Sequence, residues 1–239
     1  HLLEALRSKP IQYAIWLSLI SCSITMMLSV WVAVPIGYLL SRWQRDGRWP
    51  VLRNIIDATL DIPIVLPPLV IGLSLLILFQ TPPGRFIERQ TLHFVGTPIT
   101  YAIPSVILAQ FAVAAAFAVR TMRVTFDQLN PRSEQVALTL GCSRSQAFFM
   151  VVLPEARRGM LTAATLAWAR SLGEFGPILV FSGATRMRTE VLPTTVFLEL
   201  SVGRIESAVA VSLLMVACAL IVLIIVRAFG SVDSFGRGV

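Results

Sequence analysis

Lysine is nearly absent from this 239-residue sequence: Lys9 is the only one, and a proline follows it. A phosphate-binding P-loop needs the pattern G-x-x-x-x-G-K-[S/T], so the chain carries no Walker-type ATP site of its own. Histidine is also scarce, with only His1 and His93, and no two of the three cysteines have the spacing of metal ligands. We therefore expect no metal site and, without a nucleophile–base set, no catalytic residues and no enzyme activity.

Charge is the next shortage. Only 14% of the residues are charged and 56% are hydrophobic, with a mean hydropathy of +0.77, whereas about 25% of an average soluble domain is charged. This composition predicts a single polytopic membrane domain over residues 1–239, surrounded by lipid. The net charge of +7 does not indicate nucleic-acid binding, because the basic residues of membrane proteins collect in cytoplasmic loops.

Long apolar runs are abundant. A helix needs about 20 apolar residues to cross a hydrocarbon core about 30 Å thick. Five stretches qualify and predict an all-α, polytopic bundle of about five transmembrane helices: 11–41, 62–80, 99–119, 159–182 and 207–226. The first run lacks a small-residue cleavage pattern, so we expect no cleavable signal peptide. Helical apolar spacing over Val51–Leu60 predicts an interfacial helix, and Val191–Val202 is either a cap over the outer mouth or an ordinary loop.

Arginine is distributed unevenly between the two sides of this bundle. With five spans, the loops that follow the first and third helices share a side with the C-terminal segment. That side carries twelve basic residues, against seven on the other side. Because positive charge marks the cytoplasm, we expect the N-terminus outside and the C-terminus in the cytoplasm.

The segment Ser133–Pro154, SEQVALTLGCSRSQAFFMVVLP, lies in the loop between the third and fourth predicted spans. Its pattern predicts a helix over Glu134–Leu140, a break at Gly141 and a second helix that the final proline ends. Ser143 or Ser145 is the predicted N-cap of that second helix. A compact helix–turn–helix suits docking by a partner, although a structured loop without a special role fits the pattern as well.

This 133–154 loop resembles the loop shared by permease subunits of binding-protein-dependent ABC importers, whose pattern is Glu-Ala-Ala, three residues, Gly, nine residues, Ile, one residue, Leu-Pro. Gln135, Val136 and Ala137 stand at the first three positions, and Gly141, Val151, Leu153 and Pro154 follow at the family's spacing. Gln135 replaces the family's glutamate, but Glu134 beside it supplies a carboxylate. The resemblance implies a coupling helix that contacts a separate ATPase subunit, which uses ATP and Mg²⁺, while this chain binds no cofactor. The implied coupling residues are Glu134, Gln135, Ala137, Gly141, Ser143, Leu153 and Pro154.

Two further segments are similar to stretches of molybdate/tungstate permeases, with sulfate permeases close behind: DIPIVLPPLVIG at Asp61–Gly72 and AWARSLGEFG at Ala167–Gly176. The resemblance runs from about Ile11 to Val226. It implies a permease of the cell inner membrane that passes a tetrahedral oxyanion, with sulfate or another solute as the alternative cargo. It also implies an extracytoplasmic oxyanion-binding protein as a partner, and we expect a second copy of the chain to complete a homodimer.

Arg170 and Glu174 lie near the middle of the fourth predicted span and are four residues apart, so they share one face of a helix. A charge at this depth is costly unless it is paired or faces water. Two interpretations stay open: an ion pair that locks the bundle, or residues beside the translocation path or the dimer interface. Gly173 weakens the helix here, and Thr165 and Ser171 are candidate hydroxyls for an oxyanion.

A transporter driven by an ion gradient is the main alternative from another class. Such a protein normally has internal repeats and several ionisable groups near the middle of the membrane. No repeat is evident in this sequence, and the pattern of the 133–154 loop would have no explanation.

Overall fold

The computed structural model describes residues 8–46 and 50–231, and all regular structure in them is helical, which confirms the predicted all-α class. Residues Phe148–Val152 form a π-helical turn. The helices are α1 (Lys9–Asp46), α2 (Pro50–Val65), α3 (Pro68–Gln80), α4 (Pro82–Val95), α5 (Ile103–Gln128), α6 (Pro131–Thr139), α7 (Arg144–Ala147), α8 (Leu153–Glu155), α9 (Arg157–Leu172), α10 (Gly176–Phe181), α11 (Leu192–Ser201) and α12 (Ile205–Ser231).

The centre of the bundle is a three-helix contact between α1, α5 and α9. Small side chains form much of the buried contact, which lets the helix backbones approach closely, as is common between membrane helices. Gly37 shows how close the approach is, because a Cβ at this position would lie 2.9 Å from the Cβ of Met122. The buried alanines of this contact are Ala33, Ala114, Ala118, Ala163 and Ala167.

The outer surface of the bundle is apolar. Trp16, Trp31 and Ile224 are 66%, 76% and 65% exposed. Three helices, α1, α5 and α12, are each long and apolar enough to cross a membrane unaided. The predicted spans 11–41 and 207–226 lie within α1 and α12, whereas α5 begins four residues later and ends nine residues later than the predicted 99–119.

The predicted boundary between an interfacial helix at 51–60 and a span at 62–80 is wrong. Helix α2 runs without interruption from Pro50 to Val65, and α3 then leaves at an angle of 111°. The cause is the Pro67-Pro68 pair: Pro67 is extended (φ −55°, ψ 132°), and Pro68 opens α3, where its missing N–H costs nothing. The bent pair would make a fourth span if both halves lie in the membrane.

The fourth predicted span, 159–182, is likewise two helices. Helix α9 ends at Leu172, residues 173–175 are not helical, and α10 covers only Gly176–Phe181. The predicted weakness at Gly173 is therefore confirmed as a break.

For residues 191–202 an ordinary loop was one of the two predicted alternatives, and the structure has helix α11 there instead. It packs against α12 and α1, and the N–H of Leu192 donates a hydrogen bond to Oγ of Ser18 at 2.8 Å. A cap over the outer mouth stays a prediction for this helix.

Candidate functional site at two broken helices and the 133–154 loop

The breaks of the two interrupted helix pairs meet in space, because α3 packs against α10. Glycine permits this contact. A Cβ on Gly72 would lie 2.6 Å from Cα of Pro177, and a Cβ on Gly176 would lie 3.0 Å from the backbone nitrogen of Leu69. The two sequence segments 61–72 and 167–176 thus form one structural unit, which we call the break junction.

Arg170 and Glu174 lie at the break junction and form an ion pair, with Nη1 and Oε2 3.1 Å apart. The Glu174 side chain is 1% exposed, whereas that of Arg170 is 32% exposed, and its guanidinium lies over the ring of Phe117, 5.6 Å from the centroid. Both charged residues line a cavity of about 280 Å³ together with Pro67, Pro68 and Leu69 at the start of α3. The ion pair of the first interpretation is present, and the exposed part of the guanidinium leaves donors available to an anion.

The other predicted path residues differ in their placement. Gly173 is exposed and lines the cavity. Thr165 is half-buried, and its hydroxyl donates to the carbonyl of Leu161 at 2.7 Å. Ser171 is only 1% exposed, and its hydroxyl donates to the carbonyl of Ala167 at 2.8 Å, so the structure separates it from the cavity. A hydroxyl that donates to its own helix has no donor left for an anion, so neither hydroxyl is placed to donate to one in this conformation.

A buried polar network that sequence reasoning missed holds the three central helices together. Gln110 of α5 accepts a hydrogen bond from the hydroxyl of Thr25 (3.2 Å) and donates to the carbonyl of Ser171 (3.3 Å). Its amide also lies 3.6 Å from Sγ of Cys22. The one available signal was the glutamine itself, a polar residue in an otherwise apolar span, since such residues bond across membrane helices.

The glycine break of the 133–154 loop is confirmed, since Gly141 has φ +91°, in the left-handed region that favours glycine. Ser143 is the N-cap of α7: its Oγ accepts from the N–H of Gln146 (3.3 Å), whose side chain accepts from the N–H of Ser143 (2.8 Å). Ser145 is therefore not the cap. Helix α6 begins three residues earlier than predicted, because Asn130 caps it by accepting from the N–H of Arg132 at 3.0 Å.

The prediction that Pro154 ends the second helix is wrong. Pro154 lies inside α8, and the chain turns into α9 directly after Ala156. The π-helical turn precedes it, and in that turn the N–H of Leu153 donates to the carbonyl of Phe148, five residues earlier. Proline cannot donate a helical hydrogen bond, and a wide turn before it accommodates that loss.

The predicted coupling residues face in two directions. Gln135, Gly141, Ser143 and Pro154 are exposed, whereas Ala137 is buried and Leu153 is half-buried. Glu134 faces its own chain: Oε1 accepts a hydrogen bond from the hydroxyl of Tyr38 at 2.5 Å, and Oε2 forms an ion pair with Arg42.

Further ion pairs connect α5 to α2 at the same end of the bundle. Arg123 pairs with Asp57, and Arg120 pairs with Asp61 at 3.1 Å. Sequence reasoning missed these pairs, because each joins residues about sixty positions apart. Among the described residues, no three His, Cys, Asp or Glu side chains come together as potential metal ligands.

Two buried carboxylates lie near α11, outside the predicted spans. Glu199 pairs with Arg186 at 2.6 Å and lies 3.9 Å from Arg204. Glu190 is 0% exposed, and no guanidinium among the described residues forms an ion pair with its carboxylate. Burial, the main cause, raises the pKa of Glu190 above its ordinary value.

Comparison with known proteins agrees with this architecture. Residues 33–231 match the family described as binding-protein-dependent transport system inner membrane component. The sulfate transport system permease protein CysT of Salmonella typhimurium is 31% identical over 205 residues, which cover 85% of this chain and 70% of the relative. The molybdenum transport system permease protein ModB of Escherichia coli is 30% identical over 215 residues, 89% of this chain and 90% of the relative.

The fold has a counterpart in a bacterial alginate ABC transporter, solved in complex with an alginate pentasaccharide-bound periplasmic protein. One of its chains superposes with a TM-score of 0.73 at 16% identity, over 100% of this chain and 84% of that one. The chain therefore belongs to the binding-protein-dependent inner-membrane transport family, the multi-pass permease subunits of ABC importers, which work with an ATPase and a periplasmic binding protein.

Proposed function

We propose that this permease forms the translocation path for a tetrahedral oxyanion such as molybdate or tungstate, and that Arg170 at the break junction is the residue that the anion passes. The observation that carries this proposal is the partly exposed guanidinium in a cavity inside the membrane domain, held in place by a buried carboxylate. A fixed positive charge of this kind lowers the cost of bringing an anion into a medium of low polarity.

The start of α3 supports the same choice of cargo. Helix α3 begins at the cavity that contains Arg170, and the positive end of a 13-residue helix favours anions. Broken helices that direct their ends at a substrate are a recurring arrangement in transporters. Glu174 then acts as the counter-ion that keeps Arg170 oriented while no anion is present.

Two copies of the chain would enclose the path. The cavity at the break junction opens to the surface of a single chain, and a second copy would close it. The N-terminus would lie outside and the C-terminus in the cytoplasm, which places the 133–154 loop beside the ATPase. ATP and Mg²⁺ would bind to that subunit and not to this chain. The exposed residues Gln135, Gly141 and Ser143 would contact it, while Glu134 ties the same helix to α1.

Sulfate is an equally supported cargo, because relatives named as sulfate permeases and as molybdenum permeases are about equally similar to this chain. All three anions are tetrahedral and carry two negative charges. The permease residues described above suit that shared chemistry and do not separate one anion from another. High-affinity selection in these importers would then belong to the separate binding protein.

The test is ATP-dependent uptake of labelled molybdate and of labelled sulfate into vesicles that contain the permease, its ATPase and its binding protein. Uptake of either anion that requires ATP supports the oxyanion path, and competition by tungstate identifies the narrower cargo. Uptake of neither anion would overturn the oxyanion proposal, and uptake that ignores ATP would contradict coupling to an ATPase.

A further inference from the structure

A groove of about 650 Å³ lies on the surface between α5 and α9, at the end of the bundle that carries the 133–154 loop. Gln128, at the end of α5, and Glu155 and Arg158, around the start of α9, form its rim. Its wall contains Arg120 on the α5 side and Thr162 on the α9 side. We call this the arginine groove.

The groove extends along α9 towards the break junction. Arg158, Thr162 and Leu166 line it at intervals of four residues, and Arg170 is the next residue of this row, which turns gradually around the helix. Phe117 lines the groove, and its ring also lies beneath the guanidinium of Arg170, so the groove and the break junction share this residue. The two arginines at the ends of this row are about 18 Å apart along the helix axis, too far for one small anion to contact both.

The two arginines of the groove differ in whether a carboxylate pairs with them. Arg158 makes no ion pair with any residue in the ranges 8–46 and 50–231. Arg120 shares its charge with Asp61 and is still 62% exposed, and Glu155 on the rim is the one carboxylate among the lining residues described. Counted together with Asp61, the groove has two guanidinium groups and two carboxylates, so the positive potential in it comes from the exposed guanidinium of Arg158.

The donors in the groove are the two arginines and the amide of Gln128. The threonine hydroxyls are occupied, because Thr162 donates to the carbonyl of Arg158 and Thr125 donates to that of Thr121. Guanidinium groups bind oxyanions through paired N–H donors, so they are the suitable contacts for a tetrahedral dianion.

We propose that the arginine groove is a second oxyanion site, in which Arg158 and Arg120 receive the anion after it leaves Arg170. This inference rests on the proposed function, because it names the next site on the same path. The chemistry recognised is an oxyanion with two negative charges. The phosphate of an anionic lipid shares part of that chemistry, and the test separates the two sources.

The test places a cysteine at Thr162 (Thr162→Cys) in a chain whose half-buried thiols are replaced, Cys142→Ser and Cys218→Ala. The complete complex in neutral-lipid nanodiscs is modified with an anionic and, separately, with a cationic methanethiosulfonate. Each modification rate is divided by the rate at which the same reagent modifies a free thiol in solution. A positively charged cleft raises the local concentration of anions by about tenfold or more. We expect the anionic-to-cationic rate ratio to exceed 1 by about that factor and to fall towards 1 in Arg158→Gln, but not in the control Arg89→Gln, which changes an exposed arginine on α4.

Protection experiments identify the occupant. Added molybdate or sulfate should slow the modification of Thr162→Cys, and Arg158→Gln should remove that protection. Protection that appears only when phosphatidylglycerol is present would assign the groove to a lipid phosphate. That result would overturn the proposal of a second oxyanion site. A rate ratio that Arg158→Gln leaves unchanged, without protection by either anion, would overturn it as well.

Uptake assays on the same proteins separate this inference from the proposed function. If the wild-type complex transports neither oxyanion, the proposed function fails. If the wild type transports normally and Arg158→Gln transports as fast as Arg89→Gln, the path stands and the arginine groove has no part in it.

Discussion

Glu134, in the first turn of α6, forms an ion pair with Arg42 near the end of α1, 92 positions earlier in the chain. Tyr38 of α1 donates a hydrogen bond to the second carboxylate oxygen. A carboxylate in the first turn of a helix is also favoured by the helix dipole. The helix that the family resemblance assigns to the ATPase is thus fastened to the longest helix of the bundle, so a displacement of α6 acts directly on α1.

A double-mutant cycle measures this attachment. Each of Arg42→Gln and Glu134→Gln should lower the melting temperature, while the double variant should cost less than the sum of the two. Both side chains are partly buried, at 21% and 14% exposure, so we expect a coupling free energy of about 1 kcal/mol, or about 2–4 °C. Additive effects, measured by thermal unfolding of the purified permease, would show that the pair contributes nothing.

Gly141 offers a test of the coupling role, because its φ of +91° strains other residues, while no atom beyond its two chain neighbours lies within 4 Å of its Cβ position. Gly203 has φ +81° and the same open surroundings outside the loop, so Gly203→Ala is the matched control. Both alanine variants should lose about 1–2 kcal/mol of stability through backbone strain. Only Gly141→Ala should also reduce substrate-stimulated ATPase activity of the complex. Equal ATPase activity in the two variants would contradict a docking role for the loop.

Close packing at the break junction predicts that the stability cost of replacing glycine by alanine differs strongly from one position to another. Gly72→Ala places a methyl group 2.6 Å from Cα of Pro177, a backbone atom that cannot move aside cheaply, and should cost about 1–3 kcal/mol or more. At Gly173 the nearest atoms are 3.9 Å away and φ is −84°, so Gly173→Ala should change the melting temperature little. The comparison of the two melting temperatures decides the point, and similar values would refute the close contact.

The two interpretations of Arg170 and Glu174 are separated by combining substitutions. Arg170→Gln leaves the carboxylate of Glu174 buried without its partner and should cost about 1–3 kcal/mol. The double variant Arg170→Gln/Glu174→Gln removes both charges and should recover most of that stability. Uptake should stay low in the double variant if Arg170 contacts the anion. Recovery of uptake together with stability would mean that the pair only locks the bundle.

We expect removal of the carboxylate charge to change the melting temperature in opposite directions at Glu190 and at Glu199. Because burial raises the pKa of Glu190 in the folded state above the ordinary value of 4.5, the folded protein holds this proton more tightly than the unfolded chain. The ionised carboxylate therefore destabilises the fold increasingly as pH rises above about 4.5, and there is no such penalty below it. Glu190→Gln should raise the melting temperature at pH 7.5 and leave it unchanged near pH 4.

Glu199→Gln is the control, since Glu199 is also buried (3% exposed) but pairs with Arg186. It should lower the melting temperature at pH 7.5, because the guanidinium then loses its charged partner. The same sign of change for both variants would show that burial, and not pairing, governs these two side chains.

Local features of the 133–154 loop were predictable because they depend on neighbouring residues. The left-handed turn at Gly141 and the cap at Ser143 both follow from side chains within a few positions of each other. The effect of Pro154 was not predictable from its neighbours. A proline either ends a helix or follows a widened turn, and the packing of α8 and α9 decides between these outcomes. The bend at Pro67 was not predicted, because the sequence indicated one span over 62–80, and the angle between α2 and α3 depends on packing.

The sequence by itself determined that this protein is an all-α membrane permease, because hydropathy, arginine distribution and the spacing in the 133–154 loop are each properties of continuous segments. Only the tertiary structure decided which segments meet. It joined Gly72 to Pro177 and Glu134 to Arg42, and it placed Ser171 away from the cavity that Arg170 lines. Residues far apart in the chain come together through helix packing. The hydrophobic pattern states which residues avoid water but not which helix faces which, because lipid is as apolar as the contact between two membrane helices.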